Sequence, residues 1–361
     1  MILTINSGST SVKLAAFAAN PLQRLLDRQH HGTQLDAPQL LQEFISALPP
    51  YPIATVVHRV VHGGACFTQP TIIDAAVIAE LEALQPLAPL HNPPALHWIA
   101  TAQTVCSQNT RQLAVFDTAF FASLPPVAMR YAIPDSLGVA LGVRRYGFHG
   151  VAHESMWRRW CELNPSLARG GRLISLQLGG GCSIAAISAG RPLDVSMGFS
   201  PLEGLVMATR SGDIDAAVIP YLEQKLGASA TQIVSRLNRE SGLLGVSGRS
   251  GDMRALLADP APEARFAVEL YCHRALKYIG AFWAVLGGCD GIVFGGGVGE
   301  HAPPVRARIL VSLKWAGVGL DSNANEAAVG GEARLHATSS AVGLYALQVD
   351  EETSLARAAS T

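Results

Sequence analysis

Several features that would narrow the role of this 361-residue sequence are missing. Its six cysteines, Cys66, Cys106, Cys161, Cys182, Cys272 and Cys289, show no CxxC spacing. That argues against a zinc ribbon or dithiol centre and for reduced, mostly buried small residues. Basic runs are also absent: 27 Lys and Arg stand against 28 Asp and Glu, with a formal net charge of −1. Neither nucleic acid nor an acidic membrane surface is expected as a partner. Every long apolar stretch is broken by Gly, Pro or charge before the roughly 18 residues that a bilayer span needs. The N-terminal residues lack the basic segment and small-residue cleavage site of a signal peptide, so a cytoplasmic protein is expected.

The length, with 49% hydrophobic residues, suits two domains with two cores. Residues 172–215 stand out. An apolar run, Leu173 to Leu178, stops at Gly179-Gly180-Gly181 and resumes from Ser183 to Ile187, the pattern of two antiparallel strands about a tight turn. Three residues without a Cβ let backbone N–H groups converge on an anion, so the turn reads as a phosphate cradle. A hairpin of the same design spans residues 2–17 around Asn6-Ser7-Gly8-Ser9-Thr10-Ser11. A third glycine turn, Gly295 to Glu300, follows the buried-strand run Gly291 to Phe294.

Between these turns lie candidate site residues. The strand Ala54 to Val61 carries Arg59, whose charge must meet either a structural carboxylate or an anionic ligand. Asp74 caps a helix running to about Leu84, and Asn92-Pro93 starts the next one. Asp117 ends the strand Gln112 to Phe116, a position that suits a site residue or a helix cap. His149 sits between Gly147 and Gly150, and Arg210 lies in an otherwise apolar stretch after Pro201-Leu202-Glu203-Gly204. Residues 20–50 read as a connection with one helix at Pro38 to Ala47. Two helices are expected at 214–225 and 230–239, and a long one at 262–287, with Phe266, Leu270, Leu276, Ile279 and Phe282 on its buried side.

The stretches NSGSTSVK, HRVVHGG, LAPLHNPP, VFDTAF, RRYGFHG, DVSMGFSPLEGL, TRSGDID, SGLLGVSG, GGGVGE and the late DEE, in this order, resemble the acetate kinase family nearly end to end. The resemblance implies the two-domain α/β fold of the sugar kinase/actin/Hsp70 superfamily, with a nucleotide and substrate cleft between domains. The expected boundaries are 1–119 plus 352–361 for one domain and 120–351 for the nucleotide-binding one. It implies transfer of phosphate from ATP to a small carboxylate, with magnesium (manganese as a substitute), and a homodimer. Carried over by position, Arg59 and Arg210 would bind the carboxylate and the transferring group, His149 would stabilise the transition state, and Asp117 would be the essential acid. Asn6 and Glu351 would serve the metal, and Val61, Leu90, Phe148 and Pro201 would form the acyl pocket. Lys13, Gln177, Leu178, Gly179, Gly180, Gly181, Asp252, Met253, Arg254, Gly297, Val298, Gly299, Glu300 and His301 would hold the nucleotide.

Departures from the family pattern bear on substrate. The family usually reads HLGNG where this chain has Gln177 to Gly181, and GGxGEN where it ends in His301; it is also shorter than expected around residues 20–50. A butyrate-type kinase, another phosphoryl donor, or a nucleotide-binding protein without turnover are the alternatives.

Overall fold

A computed structural model describes residues 1–8, 11–32, 35–89 and 91–359. The chain divides into two compact units: Met1–Ala122, Phe148–Ser155 and Asp350–Thr361 in the first, Ser123–Gly147 and Met156–Val349 in the second. Among the described residues no helix is long and apolar enough to cross a membrane.

The first unit is built on a six-stranded sheet: β1 (Ile2–Ser7), β2 (Ser11–Ala18), β3 (Gln23–His31), β4 (Thr55–Val60), β5 (Thr71–Ile72) and β6 (Arg111–Phe116), in the order β3-β2-β1-β4-β6-β5. Alternation along β1 sends Leu3 and Ile5 to one face, with Leu41, Phe44 and Trp98 of the helices Ala37–Ser46 and Asn92–Val105. Ile2 goes to the other face, with Phe17, Val57, Val151 and Leu355. Leu355 belongs to the terminal helix Glu351–Ala358, so core packing fixes where that helix begins.

The second unit holds β7 (Arg172–Leu178), β8 (Cys182–Ser188), β9 (Arg191–Val195), β10 (Gly291–Gly295), β11 (Ala333–Arg334) and β12 (Gly343–Ala346), in the order β11-β12-β10-β7-β8-β9. Counted within each unit, both sheets read 3-2-1-4-6-5. In both, the first three strands are antiparallel neighbours, and the first, fourth and sixth are parallel. Two halves with one topology are what the paired glycine hairpins led us to expect.

The sequence reading of residues 20–50 missed β3. Its residues, Gln23 to His31, include none of the β-branched types, and it is an edge strand with much of its surface exposed, so neither propensity nor alternation marks it. The long helix runs Pro262–Leu286, but its buried side differs from expectation. Phe266 is 58% exposed, Leu270 and Leu276 are half-buried, and the covered stripe is Ala264, Ala267, Val268, Tyr271, Cys272, Ala275, Ile279, Phe282 and Leu286. Ile279 and Phe282 lie in that stripe as expected, and the helix packs against β8.

Candidate active site

In the first unit, β1, β4 and β6 run parallel, so their carboxyl ends lie side by side. Those ends deliver Asn6, Arg59 and Asp117. Arg59 Nε donates to Asp117 Oδ1 at 2.9 Å, Nη2 to Oδ2 at 2.5 Å, and Nη1 to Asn6 Oδ1 at 3.0 Å. Asp117 is fully buried. It is therefore a partner of Arg59 and not a helix cap, and Arg59 meets the carboxylate that its burial required. Burial works against the guanidinium charge, but Asp117, Glu351 and Glu352 together outweigh it and hold the Arg59 pKa above its ordinary value. Burial likewise pushes the Asp117 carboxyl up, against the pull of Arg59 and of the His149 backbone N–H.

Asn6 turns its carboxamide nitrogen to Glu351 Oε2 at 2.7 Å and Glu352 Oε1 at 2.9 Å. Both glutamates lie in the first turn of the terminal helix, whose cap is Asp350. Lys13, opposite Asn6 in register, lies 3.9 Å from Glu352. The two carboxylates give hard oxygen donors suited to magnesium, which keeps most of its shell for water and phosphate. Asn6 fits that role less directly, because its oxygen already accepts from Arg59. No group of three His, Cys, Asp or Glu able to hold a metal occurs among the described residues.

His149 has φ 60°, a left-handed backbone uncommon for a non-glycine residue. Gly150 N–H donates to the Asp117 carbonyl at 3.0 Å, and a Cβ on Gly150 would lie 2.1 Å from that oxygen. The glycine permits close approach to Asp117's backbone. Val61 and Phe148 are buried beside His62, and Leu90 lies outside the described residues. Asn92 opens its helix as expected, but His91 is the cap, and the Asn92 side chain reaches across to the His62 backbone instead.

In the second unit the parallel strands β7 and β10 pair Gln177 with Gly295, so the turn after β7 and the helix that starts at Gly296, where the sequence suggested a glycine turn, are neighbours. Gly180 and Gly297 have open space where a Cβ would stand, whereas one on Gly296 would meet the Leu178 carbonyl at 2.7 Å, at φ +75°. Gln177 Oε1 is buried without a hydrogen-bond partner among the described residues. Cys182 beside the turn bonds to Tyr271 and the Gly179 carbonyl, and burial pushes its thiol up to about 11.

Val298, Gly299, Glu300 and His301 lie in the short helix Gly296–His301, where Glu300 accepts from Gly296 N–H and His301 bonds to the Gly297 carbonyl. Buried Arg306, which the sequence reading passed over, grips the carbonyls of Gly299 and Glu300 at 2.7 and 3.0 Å. Asp252 caps the helix Met253–Ala258 and pairs with exposed Arg254, while the Met253 and Leu178 side chains point into the core. Arg210 Nη1 donates to the Pro201 carbonyl at 3.1 Å. Burial lowers its pKa. The loop that carries both is stapled by two acids missed in the sequence. Glu203 bonds to Arg145 at 2.5 Å and to Tyr131, and Asp213 accepts from Gly204 N–H, Arg274 and Tyr278. Spacing alone gave no signal for them, since the side chains they bind lie 58 to 72 residues away.

Comparison with known proteins agrees with this architecture. The profile of the Acetokinase family matches residues 28–357. An acetate kinase of Solibacter usitatus is 42% identical over 84% of this chain and 75% of its own length. One of Rhodopseudomonas palustris is 38% identical over 99% and 97%. Among solved structures, an acetate kinase of Porphyromonas gingivalis superposes with TM-score 0.88 at 34% identity, covering 99% of this chain and 98% of that one. A propionate kinase of Francisella tularensis gives 0.90 at 32% identity with the same coverage. The chain thus has the α/β fold of the sugar kinase/actin/Hsp70 superfamily and belongs to the Acetokinase family.

Proposed function

We propose that this chain is a short-chain carboxylate kinase, transferring the terminal phosphoryl group of ATP reversibly to acetate or propionate to give an acyl phosphate and ADP. The observation that carries the proposal is Arg59, a buried cation pinned by Asp117 and Asn6 at the ends of three parallel strands. Three of its five N–H groups have partners among the described residues, which leaves donors for an anion.

In the reaction a carboxylate oxygen bonds to the γ-phosphorus as the bond to the bridging oxygen breaks, and the electron pair leaves with ADP. A short-chain acid, with a pKa near that of Glu at about 4.3, is already ionised at neutral pH and has no proton to lose. The barrier is then one of bringing anions together and aligning them. Arg59 and Arg210 supply cations, and His149 donates a hydrogen bond to the developing charge. The bidentate contact supports a positioning role for Asp117 over that of a base. Glu351 and Glu352 would hold magnesium, which when bound neutralises phosphate charge; Asn6 orients them.

Lys13, the 177–181 turn, residues 252–254 and residues 297–301 hold the nucleotide, the 177–181 turn through backbone N–H groups. Val61, Leu90, Phe148 and Pro201 enclose the alkyl group. The second unit, Ser123–Gly147 and Met156–Val349, in place of the expected 120–351, serves as the nucleotide-binding domain, and the protein is a homodimer; light scattering after gel filtration checks the latter.

The test is hydroxylamine trapping of acyl phosphate with ATP and magnesium against acetate, propionate and butyrate, with pyrophosphate as a second donor. The proposal expects hydroxamate with acetate or propionate, lost in Arg59→Ala. Silence with every acid and donor would refute it.

A further inference from the structure

The fold commits a fully buried carboxamide to one turn. Asn92 is 0% exposed, and Oδ1 accepts from His62 N–H at 3.1 Å while Nδ2 donates to the His62 carbonyl at 3.0 Å. This reciprocal pair holds the backbone where β4 ends, as a neighbouring strand would. Next in the turn, Gly63 N–H donates to Thr118 Oγ1 at 3.0 Å and Gly64 N–H to His62 Nδ1 at 2.9 Å. A Cβ on Gly63 would lie 2.7 Å from the Phe67 carbonyl and 2.9 Å from the Phe116 ring, so the turn is boxed in by its neighbours as well.

The side chain so fixed is a wall brace. The buried His62 ring meets Phe148 edge-on, with centroids 5.4 Å apart and planes at 65°. Val61 precedes His62 in the chain. One immobilised residue thus joins two residues assigned to the acid's alkyl group. Discrimination by one methylene in an apolar pocket reaches 10- to 200-fold only where the walls cannot give.

We propose that Asn92 is a specificity-determining positioning residue: by clamping His62 it fixes the separation of Val61 and Phe148 and so limits the length of the acid accepted. This rests on the carboxylate-kinase reading and goes beyond it. Asn92 touches no reacting atom, so its removal acts on selection of the acid and leaves nucleotide affinity alone.

The experiment compares full-length wild type, Asn92→Ala and Asn92→Asp for kcat and KM with acetate, propionate and butyrate, and for KM of ATP. Asn92→Ala is expected to raise the ratio of butyrate to acetate kcat/KM about tenfold, chiefly through KM of the acid, with KM of ATP within twofold. Asn92→Asp, which keeps the bond from His62 N–H, should fall between the two, and supplies the comparison if Asn92→Ala does not fold. A chain-length ratio within twofold of wild type in the folded variants overturns this inference alone. Wild-type silence with every acid overturns the parent reading, and this one with it.

Discussion

Arg59 and Arg210 carry the same guanidinium into differently built surroundings. Arg59 lies at a strand end in a cluster of side-chain charges, two N–H groups on Asp117, one on Asn6, with Glu351 and Glu352 behind. Its charge is favoured despite burial. Arg210 lies on a loop stapled by Glu203 and Asp213, donates to the Pro201 carbonyl, and has its pKa lowered by burial. The first cation is built into the fold's ionic framework, and the second is anchored to the Pro201 carbonyl. The two guanidiniums therefore differ in what their loss should cost the fold, because Arg59 is the partner of a fully buried carboxylate.

The largest effect should come from breaking that contrast at Arg210. Arg210→Ala should lower kcat about 10³-fold, the scale of losing one preorganised transition-state donor. Its urea midpoint should stay close to wild type, as steady-state kinetics and denaturation will show together. Arg59→Ala should differ by also losing about 3–5 kcal/mol of stability, because Asp117 is left buried and uncompensated. Adding Asp117→Ala to Arg59→Ala should recover part of that loss in the same urea titration.

Acid sharpens the contrast between the units. Burial lowers the pKa of His58 to about 4 and, with His149 nearby, that of His153 to about 3, both in the first unit. Below about pH 6.5 the unfolded chain binds protons that these folded imidazoles refuse, so stability falls with pH. The slope is about 1.4 kcal/mol per pH unit for each, down to the folded pKa. Urea unfolding between pH 7 and 5 should show it, and His58→Gln should remove the His58 share of the slope.

The smallest effects concern the glycine turns of the second unit. Gly180→Asn enters open space and should change stability by less than about 0.5 kcal/mol while lowering KM for ATP. Gly296→Ala, at φ +75° against the Leu178 carbonyl, should cost about 1–3 kcal/mol. Thermal melts compare the two.

What the sequence made legible was backbone chemistry. Glycine turns after apolar runs placed both hairpins, because a missing Cβ is visible in one letter; the turn expected at Gly295 to Glu300 is instead the short helix Gly296–His301, which begins directly after β10. Side-chain partnerships across the sheet were not visible. Arg59's need for a counter-charge could be read, but Asp117's identity as that partner came only from the register of β4 and β6. Asn92 looked like a helix start because its local context is right for one, and its tertiary contact to His62 lies thirty residues away. Glu203 and Asp213 were missed for the same reason, their side-chain partners lying 58 to 72 residues away. β3 was missed because an edge strand need not look hydrophobic.

The most direct test of the account runs the reaction backwards: acetyl, propionyl or butyryl phosphate with ADP and magnesium, ATP read by luciferase. The account predicts ATP from acetyl or propionyl phosphate with the wild type and nearly none with Arg210→Ala. A folded protein that binds ADP yet forms no ATP from any of the three would contradict it.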